Sequence, residues 1–319
     1  MPRVIFAIFP DTEILDLAGP LQVVHEANAL GADYRVVYAA PEPEIATQQG
    51  LLLANLEPLP NVRADDLILV PGTAFFRRAT TPPPQIAQAA TWLREAYGHG
   101  ATIGSICVGA FLLGAAGLLD GRTCTTHWSR VAELHARFPA ANVVGNRLYV
   151  VDERIVTSAG IASGIDMALA LIEHAHGAQF AAGVAREMVV YVRRDGNAAQ
   201  QSVYVQHRDH LEPGVHAVQD WLVNNAAEPH DLDDLAGVAG LSRRHLTRVF
   251  RRATGIGVKE YTTKLRLERA RLFLRDPALS VDAVAERCGF ADGRQLRRLW
   301  KTAYGTTPAA SRTTTIPLH

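Results

Sequence analysis

Residues 232–308 contain one helix-turn-helix pattern written twice. The first copy, LDDLAGVAGLSRRHLTRVFRRATG, runs from Leu232 to Gly255, and the second, VDAVAERCGFADGRQLRRLWKTAYG, from Val281 to Gly305. Leu235-Ala236 matches Val284-Ala285, and Gly240-Leu241 matches Gly289-Phe290. After a one-residue difference in the turn, Leu246, Val249 and Phe250 match Leu296, Leu299 and Trp300. A repeat near 50 residues can announce a solenoid, but two copies are too few to stack into one. The pattern therefore predicts two similar units on a single helical scaffold.

Each copy has the same physical logic. Leu232, Leu235, Ala236 and Ala239 fall at helical spacing, predicting a short helix around Asp233–Val238. Gly240 tolerates the positive φ of a tight turn, and Ser242 stands where the next helix needs an N-cap. On that helix Leu246, Val249 and Phe250 point inward at i, i+3, i+4. The outward face carries Arg243, Arg244, Thr247, Arg248 and Arg251. In the second copy Asp292 is the expected cap, and Arg294, Gln295, Arg297, Arg298 and Lys301 share the outer side. Arginine and glutamine on a helix lying in a major groove read base edges or hold phosphates. For one copy alone, an ordinary bundle with a solvated basic face is an equal reading; two aligned copies in series favour nucleic acid.

At this point the sequence resembles the AraC family of bacterial transcription regulators, over residues 216–312. The connecting stretch GVKEYTTKLRLERARLFLRDPALS and the closing GTTPAASR carry the resemblance together with the two copies. Two positions depart from the family's usual pattern: Leu296 stands where Phe is common, and Ser311 where Tyr precedes the final arginine. The resemblance implies an all-α domain that binds a double-stranded DNA operator. Lys259–Arg275 is expected as one long helix, with Tyr261, Leu265, Leu272 and Phe273 on its apolar face and Pro277 barring its continuation.

Charge agrees with this reading. The formal net charge is zero, yet residues 1–210 hold 15 Lys/Arg against 20 Asp/Glu, and from Arg243 onward 17 basic residues face 6 acidic ones. A basic C-terminal part behind a mildly acidic one fits a nucleic-acid binder with a separate partner domain. The three cysteines, Cys107, Cys124 and Cys288, are too few and too irregularly spaced for a disulfide scaffold or a zinc site. No metal or cofactor is expected, and a reducing cytoplasm is the expected setting. The chain opens directly on an apparent strand with no signal-peptide layout. Its longest apolar run, Val108–Leu119, is interrupted by glycines and too short to span a bilayer, so no membrane partner is expected.

The first half alternates strand and helix patterns. VIFAIF at 4–9 and DLILV at 66–70 are continuous apolar runs of the kind that lie inside a parallel sheet. A helix is expected from about Pro20 to Leu30, a strand at Tyr34–Ala39, a hairpin or edge element at 49–55, and a helix after the proline-rich 80–85. Ala101–Ile106 comes next as a strand, then Val108–Gly117 as a helix, residues 158–176 as another, and 178–192 as the last. Cys107 falls between strand and helix, a turn that presents a nucleophile in other α/β enzymes and where helix N–H groups favour a thiolate. An equally simple reading makes it a small buried hydrophobe.

LDLAGP (15–20), LVPGT (69–73), SICVGAF (105–111), AAGLLDGRTCTTHW (115–128) and TSAGIASGIDMAL (157–169) resemble the ThiJ/PfpI family, flavodoxin-like relatives of glutamine amidotransferases, and within it the isonitrile hydratases. The resemblance covers about residues 3–195. It implies that Cys107 is the elbow cysteine, that Asp16 is a pocket carboxylate, that the Gly72 backbone lies near the oxyanion-binding region, and that His127 takes the family's histidine position. His127 has a purely structural alternative, hydrogen-bonded behind the elbow. Val108 departs from the threonine common in the hydratases and removes a hydroxyl from the pocket wall.

The expected architecture is an α/β flavodoxin-like parallel-sheet domain followed by an all-α domain with two helix-turn-helix motifs. The sensor domain is expected at 1–195, a linker at 196–215 and the DNA-binding domain at 216–319, with motifs near 232–252 and 281–302. The expected function is sequence-specific transcription regulation by a homodimer joined through the N-terminal domain, controlled there by binding of a small metabolite or by rearrangement of the dimer. A small-molecule effector is expected to bind at Asp16, Gly72, Cys107, Val108 and His127. The alternative is a cysteine-dependent hydratase or amidase, using Cys107, Asp16 and His127, with a DNA-binding appendage.

Overall fold

The computed structural model of the chain describes residues 2–74, 84–190 and 193–310. They group into two units that divide between Gln200 and Gln201.

In the first unit the apolar runs become the inner strands of a sheet. β1 (Arg3–Ala7), β2 (Arg35–Ala39), β5 (Leu67–Val70), β6 (Thr102–Ile106), β9 (Tyr149–Asp152) and β10 (Ile155–Ser158) form a six-stranded sheet in the order β2-β1-β5-β6-β10-β9. All neighbours are parallel except β9, which runs antiparallel to β10. Val4 is in register with Val36 on one side and Leu67 on the other. Side chains alternate faces along a strand, so Ile5, Ala7 and Phe9 join one hydrophobic cluster while Val4, Phe6 and Ile8 join another. The first is covered by α2 (Pro84–Gly98) and α3 (Ala110–Ala115), through Ile86, Leu93, Phe111 and Leu112. The second is covered by α1 (Ile14–Ala29) and α5 (Ala162–His176), through Leu17, Val24, Met167 and Leu171, and α6 (Ala178–Glu187) packs behind them. Small pairs, β3 (Ile45–Ala46) with β4 (Leu52–Leu53) and β7 (Thr123–Cys124) with β8 (Asn142–Val143), flank the sheet, and α4 (Val131–Arg137) lies between β7 and β8 in sequence.

Three boundaries differ from the sequence expectation. α1 starts at Ile14, well before Pro20, so the proline lies inside the helix. Residues 155–158 are a strand and the next helix starts only at Ala162, because Ile155 and Val156 are sealed between layers and pair with β6. α6 ends at Glu187. Residues 80–83 of the proline-rich segment lie outside the described residues.

The second unit holds seven helices among the described residues: α7 (Val203–Gln206), α8 (Pro213–Asn225), α9 (Leu232–Ala239), α10 (Arg243–Thr254), α11 (Val258–Phe273), α12 (Val281–Arg287) and α13 (Gly293–Tyr304). The expected linker at 196–215 is not a tether. The Leu148 N–H donates to the carbonyls of Gly196 and Ala198 in the first unit, and Val203 enters the core of the second. Buried Ala198 and Val203 supply the reason, each gaining from removal from water.

Two cores form in the second unit. Leu222, Leu235, Leu246, Phe250, Val258, Tyr261 and Leu265 share one; Leu267, Ala270, Leu274, Val284, Leu296 and Trp300 share the other. The first half of α11 serves one core and the second half the other. Each stripe has helical spacing of three and four. Nine residues separate Val258 from Leu267, and at about 100° per residue that places the stripes on opposite sides of the helix. Leu272, expected on a single apolar face, is 47% exposed instead.

Candidate ligand pocket and DNA-binding surface

The pocket lies beyond the carboxyl ends of the strands, where β1 separates β2 on one side from β5 on the other, the usual place for a ligand in an open α/β sheet. Cys107 follows β6 and adopts φ +57°, a left-handed conformation unusual for a residue with a Cβ. Its surroundings hold that conformation. The Thr126 hydroxyl donates to the Cys107 carbonyl at 2.8 Å. A Cβ on Gly109 would lie 2.4 Å from the Val70 carbonyl oxygen, and one on Gly160 would lie 2.2 Å from Cys107 Cβ. The elbow therefore fits only against bare backbone on two sides.

Asp16, on the first turn of α1, is fully buried. Its Oδ1 accepts the Ile161 N–H at 2.6 Å and its Oδ2 the Gly72 N–H at 3.2 Å. Burial pushes its pKa from 3.8 up to about 6, against the lowering effect of the Ile161 N–H, the Gly72 N–H and the Cys107 thiol. Ile161 reaches it from φ +50°, a second strained residue at the same site. The Gly72 N–H, expected to face a ligand oxygen, is directed to Asp16. A buried carboxylate needs donors, and this one takes the nearest backbone amides.

Asp16, Gly72, Cys107, Val108 and His127 all line one cavity of about 200 Å³. His127 also caps the turn immediately after it: its Nδ1 lies 2.8 Å from Ser129 Oγ, and its ring packs at a tilt on Trp128 with centroids 5.5 Å apart. The histidine thus lines the cavity and braces its own turn, with Ser129 rather than the elbow as its hydrogen-bond partner there. Gln48 and Arg130, which lie in no quoted motif, and Thr73 and Ile161, which lie unremarked inside the LVPGT and TSAGIASGIDMAL strings, share the lining. They come from separate loops, so no single stretch of sequence brings the four together. Cys124 and Cys288 are fully buried, and burial pushes each thiol up to about 11, so neither offers a thiolate near neutral pH. Among the described residues no cluster of His, Cys, Asp or Glu is arranged to hold a metal ion.

The helix-turn-helix copies are built as their caps direct. Asp231 and Asp234 form a capping box at the start of α9, and Gly240 closes it at φ +64°. Ser242 caps α10 by accepting the His245 N–H at 3.3 Å, and Asp292 caps α13 by accepting the Gln295 N–H at 2.6 Å. Arg243, Arg244, Thr247, Arg248 and Arg251 are exposed and, with Arg252, surround one shallow concavity on α10. Arg294, Arg298 and Lys301 are exposed on α13. Gln295 is half-buried, and its Oε1 accepts the Ala291 N–H at 2.8 Å, so its carbonyl is committed to the turn. Leu296 is fully buried and fills its place in the second core; Ser311 lies outside the described residues. No helix among the described residues is long and apolar enough to cross a membrane.

Comparison with known proteins places this geometry. The pattern of the DJ-1/PfpI family matches residues 2–174, and that of a helix-turn-helix domain matches residues 235–314. The HTH-type transcriptional regulator ArgR of Pseudomonas aeruginosa is 30% identical over 321 residues, covering 97% of this chain and 92% of its own. The HTH-type transcriptional regulator GbdR of the same species is 29% identical over 319 residues, covering 96% of this chain and 83% of its own. In fold, an AraC family transcriptional regulator from Pseudomonas putida aligns with a TM-score of 0.51 at 23% identity, over 59% of this chain and 100% of that one. Matched along both of its units, the chain belongs to the DJ-1/PfpI family, among the members that carry an AraC-type helix-turn-helix domain, and it is a DNA-binding transcription regulator.

Proposed function

We propose that α10 and α13 read operator DNA through Arg243, Arg244, Thr247, Arg248 and Arg251 in one copy and Arg294, Gln295, Arg298 and Lys301 in the other. The duplicated, arginine-rich outer face carries this reading. Held by one connecting helix, the two recognition helices enter successive major grooves on one face of the duplex, with contacts about 10 bp apart. A homodimer joined through the first unit doubles that site in the cytoplasm. Footprinting checks this: two protected patches per protomer are expected, and one short patch per dimer contradicts it.

The pocket at Cys107 serves as the sensor. A small polar or nitrogen-containing metabolite fits its size and its carboxylate. Efficient hydration or amide hydrolysis is not expected there. Proton delivery in the transition state is worth roughly 10²–10⁴ in rate, and Val108 offers no hydroxyl for it. The Gly72 N–H, already held by Asp16, leaves one donor fewer for an oxyanion. A ligand acts on DNA binding only by preferring one arrangement of the protein over another.

The test is to titrate the full chain with amines, amides and isonitriles while following operator affinity by anisotropy, beside a turnover assay. A ligand-dependent shift that disappears in Asp16→Asn is expected. Robust turnover that vanishes in Cys107→Ala overturns the sensor reading. Asp16 also has a signature in stability. Its folded pKa lies above its unfolded value, so its contribution is fully present below pH 3.8 and is lost as pH rises through about 6. That shift corresponds to about 3 kcal/mol, and Asp16→Asn flattens the fall in a pH series of unfolding curves.

A further inference from the structure

Between the two helix-turn-helix copies lies a groove of about 500 Å³. Thr247 of α10 and Gln295 of α13 stand on its two walls, Lys259 and Thr263 of α11 line it, and Leu232 and Phe290 contribute apolar surface. From this placement we infer that the groove holds the sugar-phosphate backbone of the operator where it crosses between the two major-groove segments, with Lys259 as the phosphate contact. The inference rests on the recognition-helix reading above.

Three observations carry it. The groove is continuous with both recognition helices, because Thr247 of α10 and Gln295 and Leu299 of α13 line it. Successive major-groove segments on one face of a duplex are separated by the minor groove and the two sugar-phosphate backbones that border it, so a cation between α10 and α13 stands over phosphates. The charge fits. Lys259 is exposed, and among the described residues no carboxylate pairs with it. Thr263 turns its hydroxyl proton back to the Lys259 carbonyl at 2.8 Å, holding the first turns of α11 together beneath the ammonium. Of the other charged groups in the lining, Arg266 donates to the Ala226 carbonyl at 2.6 Å; burial lowers its pKa, but a guanidinium stays charged near neutral pH. Asp231 accepts the backbone N–H groups of Asp233 and Asp234 at 2.8 and 2.9 Å, so its carboxylate is directed to the start of α9. A lysine that touches a phosphate and no base adds affinity without adding sequence preference.

The experiment measures operator affinity of the full chain against salt concentration for wild type, Lys259→Ala and Lys259→Arg, with Arg244→Ala and Arg298→Ala in parallel. Loss of one phosphate contact lowers the slope of log K against log salt by about 0.9. Lys259→Ala should show that loss with its ranking of mutated operators unchanged, and Lys259→Arg should restore the slope. Replacing the phosphates midway between the two half-contacts with neutral methylphosphonates should produce the same loss in wild type and no further loss in Lys259→Ala. A wild-type slope in Lys259→Ala, beside weakened Arg244→Ala and Arg298→Ala, overturns the groove contact and leaves the recognition helices standing. A changed operator ranking in Lys259→Ala makes it a base reader and also overturns the proposal. Wild-type affinity in every variant removes both. Circular dichroism of Lys259→Ala confirms that an exposed substitution has left the fold alone.

Discussion

The two helix-turn-helix copies share a pattern but are not built alike. In each, an aspartate on the first helix pairs with an arginine of the recognition helix, yet the arginine stands on a different turn. Asp233 lies 3.4 Å from Arg243, at the start of α10. Its counterpart Asp282 lies 3.1 Å from Arg297, four residues further along α13, where the first copy has Thr247. The position matching Arg243 is Gly293, and a Cβ there would lie 2.1 Å from Asp282 Oδ1. The glycine lets the aspartate pass over the helix start to reach the later arginine. The turns differ in the same way. A Cβ on Gly240 would meet nothing within 4 Å, whereas one on Gly289 would lie 2.4 Å from the Ala227 carbonyl oxygen. The second turn is pressed against the end of α8 while the first faces open space. A duplicated motif thus keeps its caps and apolar positions, which are local, and changes the contacts that depend on neighbours.

This comparison is most severely tested by its separate cores. Phe250 and Trp300 occupy equivalent positions and are both fully buried. Phe250→Ala and Trp300→Ala should each cost about 3–5 kcal/mol. Hydrogen exchange should show the loss of protection concentrated in α9–α10 for the first and in α12–α13 for the second. Equal loss across both halves in either variant means that the cores are one cooperative unit and breaks the distinction.

The turns come next. Gly240 and Gly289 have φ values of +64° and +76°, so alanine at either pays a left-handed penalty of about 1–2 kcal/mol. At Gly289 the clash with Ala227 adds about 1–3 kcal/mol of overpacking. Urea unfolding should rank Gly289→Ala well below Gly240→Ala, and equal midpoints would show that the corner at Ala227 gives way without cost.

DNA contacts are expected to be more evenly shared. Arg244→Ala and Arg298→Ala should each weaken specific binding by about 1–3 kcal/mol if the guanidinium is bidentate to a guanine. Arg251→Ala and Lys301→Ala should lower the salt slope while leaving sequence preference alone. Competition titrations with operators altered in one half-contact decide whether each arginine belongs to its own half.

The smallest effect concerns the ion pairs. Both are largely exposed, Arg243 with Asp233 and Arg297 with Asp282, so Asp233→Asn or Asp282→Asn should change stability by less than about 1 kcal/mol. Their value for the comparison lies in binding. Releasing Arg297 should alter operator ranking in the second half-contact only, which a matched set of operator variants can detect.

The sequence by itself determined what depends on neighbours along the chain. Apolar spacing and capping residues placed both helix-turn-helix motifs, since a cap and an i, i+3, i+4 stripe are satisfied within about ten residues. Runs such as VIFAIF marked inner strands because only a sheet covered on both faces buries every side chain of such a run. The motif strings around Asp16, Gly72, Cys107, Val108 and His127 grouped five residues that line one cavity. Tertiary structure alone decided the rest. Strand β10 lay in a stretch that the sequence did not mark, with only Ser158 inside the string expected as helix, since its identity comes from pairing with β6. Residues 196–215 looked polar and free, but Ala198 is buried with its carbonyl held by the Leu148 N–H, and Val203 packs into a core built by residues distant in sequence. The connecting helix carries two stripes on opposite sides, and only its two packing partners separate them. The Gly72 N–H faces Asp16 because a buried carboxylate, 56 residues away in the chain, has to be hydrogen-bonded.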